Sequence, residues 1–481
     1  MGSNPCPSLL LRGRRSPMPL ALLLGRMLSG QNKDKQAEEV YRKALQDFGL
    51  SSDWDATATL LREYIRLVTR RGKFCEAKAI YYLVIRNFTF RLGRCHAKTL
   101  LLIYETGNAL RTSGALSDAE QVYQEAIFDL DISMHKENDT LLCVIDELGV
   151  VYTQQGRWKD AENFHHAALK GFLDIYQNYF HLRVVTVVLN LGTTLREQGK
   201  LNYAAQMFQW GSSGLEQAFG LDHEDTINAF DQLALIHTST QNFVDAEFAL
   251  SSSLNGCESL YGKSHEKTLQ KRAEIVTLLR DQGKFLEAQA ACESLLSDCK
   301  TLGSELRFLV LNHLGTIHCM ASRFAEAEEY FATALAGFRE YEGQRSPSAL
   351  LVLYNMGNTY LARGQPDLAE SAYRQALAGL RLTVGHNHTA SLAAAEMLGL
   401  SLMSQNIADA ANTCSEALNL CKTEGPLAIT EVHKVTAANF ERMTTSRLPA
   451  YNEALLRWNH EPNDFYVRDQ HFSATKYGSR Q

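Results

Sequence analysis

Histidine is the residue with the most obvious chemistry in this chain. Fifteen are present, and His96, His181, His223 and His265 are spaced 85, 42 and 42 residues apart. A transition-metal site needs three or four such ligands at bonds near ~2.1 Å. Equivalent residues on successive structural units lie too far apart to share one ion. An imidazole just ahead of a helix has a simpler role, as acceptor for the helix's first amides. His165 and His166 are adjacent on a helical segment and point in different directions. His386 and His388 sit in a turn. Cys292 and Cys299, like Cys414 and Cys421, are seven apart on a helix. That spacing shares a face without reaching disulfide distance, so they read as buried apolar thiols. No H-E-x-x-H, G-x-x-x-x-G-K-[ST] or G-x-S-x-G motif occurs. Gly192 to Lys200 ends in Gly-Lys, but with the wrong spacing and across a helix turn. The sequence therefore gives no catalytic, cofactor-binding or metal-binding residues, and it reads as a non-enzyme.

Composition agrees with a folded, soluble chain: 481 residues, 45% hydrophobic and 21% charged, with 9 prolines. The net charge of -6 leaves no electrostatic footprint for nucleic acid. No apolar run approaches the roughly 18 residues that span a bilayer. Ten cysteines without a C-x-x-C pair favour a reducing, cytoplasmic setting. The first 33 residues carry five basic side chains and no acid, a composition shared with mitochondrial presequences. The apolar stretch Leu20 to Leu24 is short for a secretory signal, and Arg26 interrupts it.

The elements that must position these residues come from a repeat. An alanine recurs at Ala37, Ala77, Ala119, Ala161, Ala204, Ala246, Ala288, Ala327, Ala369 and Ala410, at intervals of 39 to 43 residues. Such a period signals a solenoid, and it overrides the expectation of about three domains from length. Twelve before the alanine, glycine occurs six times, among them Gly25, Gly107 and Gly357; five before it, another six, among them Gly72, Gly156 and Gly364. Four after it lies an aromatic six times, such as Tyr41, Tyr123 and Tyr373, and seven after it an alanine six times. The alanine and the residues four and seven later share one helix face. Small side chains there admit a second helix, and the aromatic fills the space beside them. The glycine five before the alanine falls between two helical segments, where the chain must stop and turn. Each unit is helix A, a turn, and helix B. Leu24, Gly25 and Leu28 match the end of a first helix A, which assigns Leu20 to Leu28 to the fold rather than to a leader.

This pattern resembles the tetratricopeptide repeat. Leu148-Gly149-Val150-Val151-Tyr152 followed by Ala161, and Met356-Gly357-Asn358-Thr359-Tyr360 followed by Ala369 and Tyr373, carry its L-G-x-x-Y…A-x-x-x-F signature. The period is about 42 rather than the usual ~34, and the signature's tryptophan and proline are missing. The longer period is similar to the kinesin light chain type. Its G-x-x-H-x-x-T leader is matched by Gly93 to Thr99, Gly220 to Thr226 and Gly262 to Thr268, with His181 in the same register. That family also has an N-terminal heptad coiled coil, for which the 36 residues before Ala37 are too short. The resemblance implies an all-α, right-handed superhelical solenoid of about ten antiparallel helix pairs over residues 20-422. A basic leader (1-19), a capping helix (423-445) and a polar tail (446-481) complete the organisation.

The resemblance further implies a concave groove lined by A helices, faced by the residue fourteen before each helix B alanine. Those residues are Leu23, Glu63, Glu105, Glu147, Asn190, Gln232, Glu274, His313, Asn355 and Glu396; eleven before it lie Asn108, Thr193, Thr277, Thr316 and Asn358. Polar residues in one register suit hydrogen bonding to an extended peptide, although any solvated helix face is also polar. None of the ten is basic, which argues against a clamp for a C-terminal carboxylate. Asn190 and Asn355 match the asparagine ladder of kinesin light chains, and the glutamates depart from it. An acidic groove favours basic or neutral segments. The expectation is a protein-binding scaffold or adaptor with no cofactor. The competing readings are the sensor portion of an NLR-like receptor, an accessory protein of a metabolic pathway, and an enzyme with an unrecognised site.

Overall fold

The computed structural model describes residues 18–46, 54–128, 138–298, 305–385 and 389–403. Of these, 85% are helical, and no strand occurs among them. The helices alternate as A and B: α1 (Met18–Gly30) and α2 (Asp34–Gln46), α3 (Trp54–Arg70) and α4 (Phe74–Leu92), α5 (Ala97–Thr112) and α6 (Leu116–Ile127). Next come α7 (Asp139–Gln154) and α8 (Trp158–Tyr176), then α9 (Leu182–Glu197) and α10 (Leu201–Phe219). They are followed by α11 (Glu224–Ser239) and α12 (Phe243–Tyr261), and α13 (Glu266–Asp281) and α14 (Phe285–Asp298). The last are α15 (Glu305–Met320) and α16 (Phe324–Tyr341), α17 (Pro347–Ala362) and α18 (Pro366–Thr383), and a final A helix, α19 (Thr389–Met403). The chain forms two compact units that meet in sequence at Gly220 and Leu221. The tenth helix B with Ala410, the capping helix and the tail lie outside the described residues, as do residues 1–17.

The repeated residues meet as their spacing demands. Every helix B alanine from Ala37 to Ala369 is buried. The aromatic four residues on lies over the helix A glycine: a Cβ on Gly107 would sit 2.3 Å from the Tyr123 ring, and one on Gly357 2.6 Å from that of Tyr373. A second close approach goes beyond what the sequence pattern predicts. Ten residues after the alanine stand Gly171, Gly214, Gly256, Gly337 and Gly379. Each faces a large side chain on helix A of its own pair, respectively Leu142, Val185, Ile227, Phe308 and Leu350. In four of these five pairs one glycine on each helix lets the pair close at two points; in α11 and α12 Ala234 takes the helix A position.

The turn also has a fixed geometry. Five before the alanine the backbone is left-handed, at φ 75° in Gly156 and 76° in Gly364, and equally at Asn32, Gln241 and Ser322 where no glycine is present. A left-handed non-glycine residue costs roughly 1–2 kcal/mol. Ser322→Gly is therefore expected to stabilise the second unit by about 1 kcal/mol, read as a higher urea midpoint. A midpoint at or below the wild-type value contradicts this.

Successive pairs are joined by a row of charges. Lys73 and Arg71 meet Glu38, Arg157 meets Glu120 at 2.7 Å, Lys200 meets Glu162 at 2.8 Å, and Arg363 meets Glu328 at 2.8 Å. In each case the acid directly follows one helix B alanine and the base precedes the next by four or six residues. These pairs are partly exposed, so each contributes modestly to stability while fixing the register between units.

Candidate functional site

The recurring histidines are helix caps. His96, His181, His223 and His265 precede α5, α9, α11 and α13, and each Nδ1 accepts from the backbone N–H two residues on, at 3.2, 3.3, 3.2 and 3.2 Å. The rest of the leader closes around them. Gly93 and Gly262 end the preceding helices with φ of 96° and 91°, and the Thr99 and Thr268 hydroxyls donate back to their carbonyls at 2.9 and 2.7 Å. Among the described residues, no three His, Cys, Asp or Glu side chains gather where they could hold a metal ion. Cys292 is buried, and burial pushes its thiol up to about 12. Cys299, Cys414, Cys421, His386 and His388 lie outside the described residues.

The A-helix register departs from a bare acidic ladder. In the first unit each glutamate carries a cation from its own or a neighbouring A helix. Arg26 meets Glu63 at 2.7 Å and Arg62 meets Glu105 at 2.5 Å. Arg111 reaches Glu147 at 3.1 Å and donates to Asn108 at 3.1 Å. The Glu105 and Glu147 side chains are only 17% and 15% exposed, so they do not face open solvent. Burial pushes the Glu147 carboxyl up from its ordinary value, against the pull of Arg111. Asn190 does not offer its amide outward: Nδ2 donates to Asp146 Oδ2 at 2.8 Å. Asp146 Oδ1 in turn lies 2.6 Å from His165 Nδ1. His165 occupies the aromatic position of its repeat, and its ring covers Gly149 as tyrosine covers glycine elsewhere.

The second unit repeats the theme with other residues. Lys271 bridges Asp231 and Glu274, each at 2.9 Å. Burial alone would lower the Lys271 ammonium, but Glu274 and Asp231 outweigh it and hold it above its ordinary value. Gln232 is half-buried. Asn355 is buried and donates to Asn312 at 3.0 Å, and Asn358 is buried and accepts from the Tyr373 hydroxyl at 2.7 Å. Asn355 bonds between α15 and α17 and Asn358 between α17 and α18, so both are buried at helix interfaces. His313 is fully buried too; burial, with a smaller contribution from Arg280, pushes its imidazole down to about 3.

The polar register is thus mostly a set of bonds between neighbouring A helices. A signal for it lay in the sequence. Arg62 and Glu105, Asp146 and Asn190, and Asn312 and Asn355 are each one period apart. Pairing residues across a repeat, instead of reading each repeat alone, finds them. One turn on, Val150 and Thr193 are half-buried like Glu105, Glu147 and Asn190, while Arg66 and Arg70 on α3 are exposed. No helix among the described residues is long and apolar enough to cross a membrane.

Two stretches of the chain, residues 306–382 and 144–171, match the tetratricopeptide repeat family model. No curated protein matches the chain. Among solved structures, the apo form of RapI is 11% identical and covers 76% of this chain and 99% of its own, with a TM-score of 0.48. A tetratricopeptide repeat protein from Parabacteroides merdae is 15% identical over 63% of this chain and 98% of its own, with a TM-score of 0.41. Nearly identical TPR-like repeats of a candidate kinesin light chain from Podosopora anserina are 14% identical over 51% of this chain and 98% of theirs, with a TM-score of 0.33.

Proposed function

We propose that this tetratricopeptide-repeat chain is a non-catalytic scaffold that takes an extended segment of a partner protein across its A-helix face. The observation that carries the reading is the cross-linking of neighbouring A helices by Arg62–Glu105, Arg111–Glu147 and Asn190–Asp146. Such bonds make the floor rigid before any partner arrives, which reduces the ordering cost of binding. A basic segment finds no bare carboxylate at Glu63, Glu105 or Glu147, so these paired glutamates give no preference for a basic segment here.

The test uses the full chain as bait in affinity capture from lysate, followed by mass spectrometry. Val150→Trp with Thr193→Trp fills the part-exposed turn of α7 and α9 without touching the ion pairs. A partner retained by the wild type and lost by this variant, at unchanged thermal midpoint, supports the proposal. A partner retained by the variant, and lost instead on Tyr203→Glu on helix B, overturns it; Tyr203 is 62% exposed.

A further inference from the structure

Charge is unevenly spread along the chain. Between Trp54 and Leu100 there are ten basic side chains and three acidic ones, in a protein of net charge -6. Half of these bases sit in ion pairs. Arg62 meets Glu105, Arg71 and Lys73 meet Glu38, Lys78 meets Asp118, and Lys98 meets Asp55. Arg66 and Arg70, like Arg86 on α4, are exposed and have no ion-pair partner among the described residues. They follow Arg62 at successive intervals of four on α3, so the three share one helix face.

Among the described residues, the polar side chains in this register on the neighbouring helices are already bonded. Glu63 beside Arg66 is taken by Arg26 from α1, and Glu105 on α5 is taken by Arg62. Asn108, at the equivalent position on α5, accepts from Arg111. These two carboxylates are already neutralised, and among the described residues no ion pair occupies the Arg66 and Arg70 guanidiniums. Arg70 also lies in the last turn of α3, where the helix dipole favours a cation; that role does not account for Arg66, a full turn earlier.

We propose that Arg66 and Arg70 bind the carboxylates of an acidic, extended protein segment. The spacing suits it. Two residues one turn apart on a helix are separated by about 6 Å along its axis. Alternate residues of an extended chain are about 6.6–6.8 Å apart on one side. Each guanidinium can take one carboxylate through two parallel hydrogen bonds. The segment is thus one with acidic residues at alternate positions. The inference rests on the A-helix face being the binding face, and names the chemistry of its first stretch.

The test measures fluorescence anisotropy of a labelled twelve-residue peptide of alternating Glu and Ser, with both termini blocked. The controls are the same peptide with Gln for Glu, that Gln peptide with a free C-terminal carboxylate, and a twelve-residue oligothymidylate. The Glu peptide is expected to bind about tenfold more tightly than the blocked Gln peptide, with affinity falling as salt rises. Arg66→Glu with Arg70→Glu should weaken it by about tenfold or more, and Arg66→Gln with Arg70→Gln by somewhat less. Arg86→Glu, at another exposed arginine without an ion pair but on helix B, should leave binding within about twofold. Loss on Arg86→Glu equal to that on the double variants would show diffuse attraction and overturn the proposal. So would equal binding of Glu and blocked Gln peptides, tighter binding of the free-carboxylate Gln peptide, or tighter binding of the oligothymidylate. The two readings fail separately. A captured partner that maps to helix B while the Glu peptide still needs Arg66 and Arg70 sinks only the earlier reading. A captured partner lost on Val150→Trp with Thr193→Trp, with no Glu-peptide binding, sinks only this one.

Discussion

Gly256→Ala is expected to destabilise the second unit by about 3 kcal/mol, the upper part of the overpacking range. The sign is opposite to that of an ordinary helical glycine, where alanine gains roughly 0.5–1 kcal/mol. The reason is local. A Cβ on Gly256 would lie 2.3 Å from the Leu221 carbonyl oxygen and 2.8 Å from the Ile227 side chain. The first of these is backbone and cannot rotate away. A Cβ on Gly30, at the end of α1, would meet nothing within 4 Å. Gly30→Ala is thus the matched control and should be neutral or slightly stabilising. Urea unfolding of both variants decides the matter. Equal midpoints for the two would mean that α11 and α12 do not close on the glycine.

The second large effect concerns Asp146. Asp146→Ala is expected to cost about 3–5 kcal/mol, because it removes the shared partner of two buried or half-buried groups. His165 Nδ1 and Asn190 Nδ2 both rest on this carboxylate, at 2.6 and 2.8 Å. His165→Phe alone should also destabilise, by stripping the carboxylate of its closest partner. Asp146→Leu with His165→Phe restores the aromatic of the other repeats and should recover much of the loss. A buried polar pair replaced by apolar groups is often neutral. A double-mutant cycle of Asp146→Leu, His165→Phe and the two together measures this coupling directly. Additive effects, or an Asp146→Ala cost below about 0.5 kcal/mol, would mean that the network is not coupled.

How far the sequence could be read follows from where each signal lies. The helix pairs were legible because their alanines, turn glycines and aromatics recur at a fixed register, and each has one structural role. The turn was legible at Gly156 and Gly364 but not at Gln241 or Ser322. There the neighbouring helices impose the left-handed backbone on residues that do not prefer it. The glycines after the alanine, Gly171 to Gly379, are plain in the sequence, but their partners on helix A are Leu, Val, Ile and Phe, which recur everywhere and mark no register. The register of Glu105, Glu147 and Asn190 is legible in the sequence as a pattern, while their half-burial and their bonds to neighbouring A helices are not. A charge's exposure depends on what stands nearby on the next A helix, and Arg62, Arg111 and Asp146 stand there. For Asn355 and Asn358 the reason is similar: Asn312 and Tyr373 satisfy them inside the helix interfaces. Arg66 and Arg70 stand out only once Arg62, Arg71, Lys73 and Lys78 are matched to their acids.

Photocrosslinking tests most directly whether the A-helix face is the binding face. Benzoylphenylalanine would replace Val150 on α7 in one preparation and Tyr203 on α10 in another, each incubated with the captured partner. The account predicts a covalent adduct to the partner from position 150 and none from position 203. An adduct from position 203 alone would place the partner on helix B and contradict it.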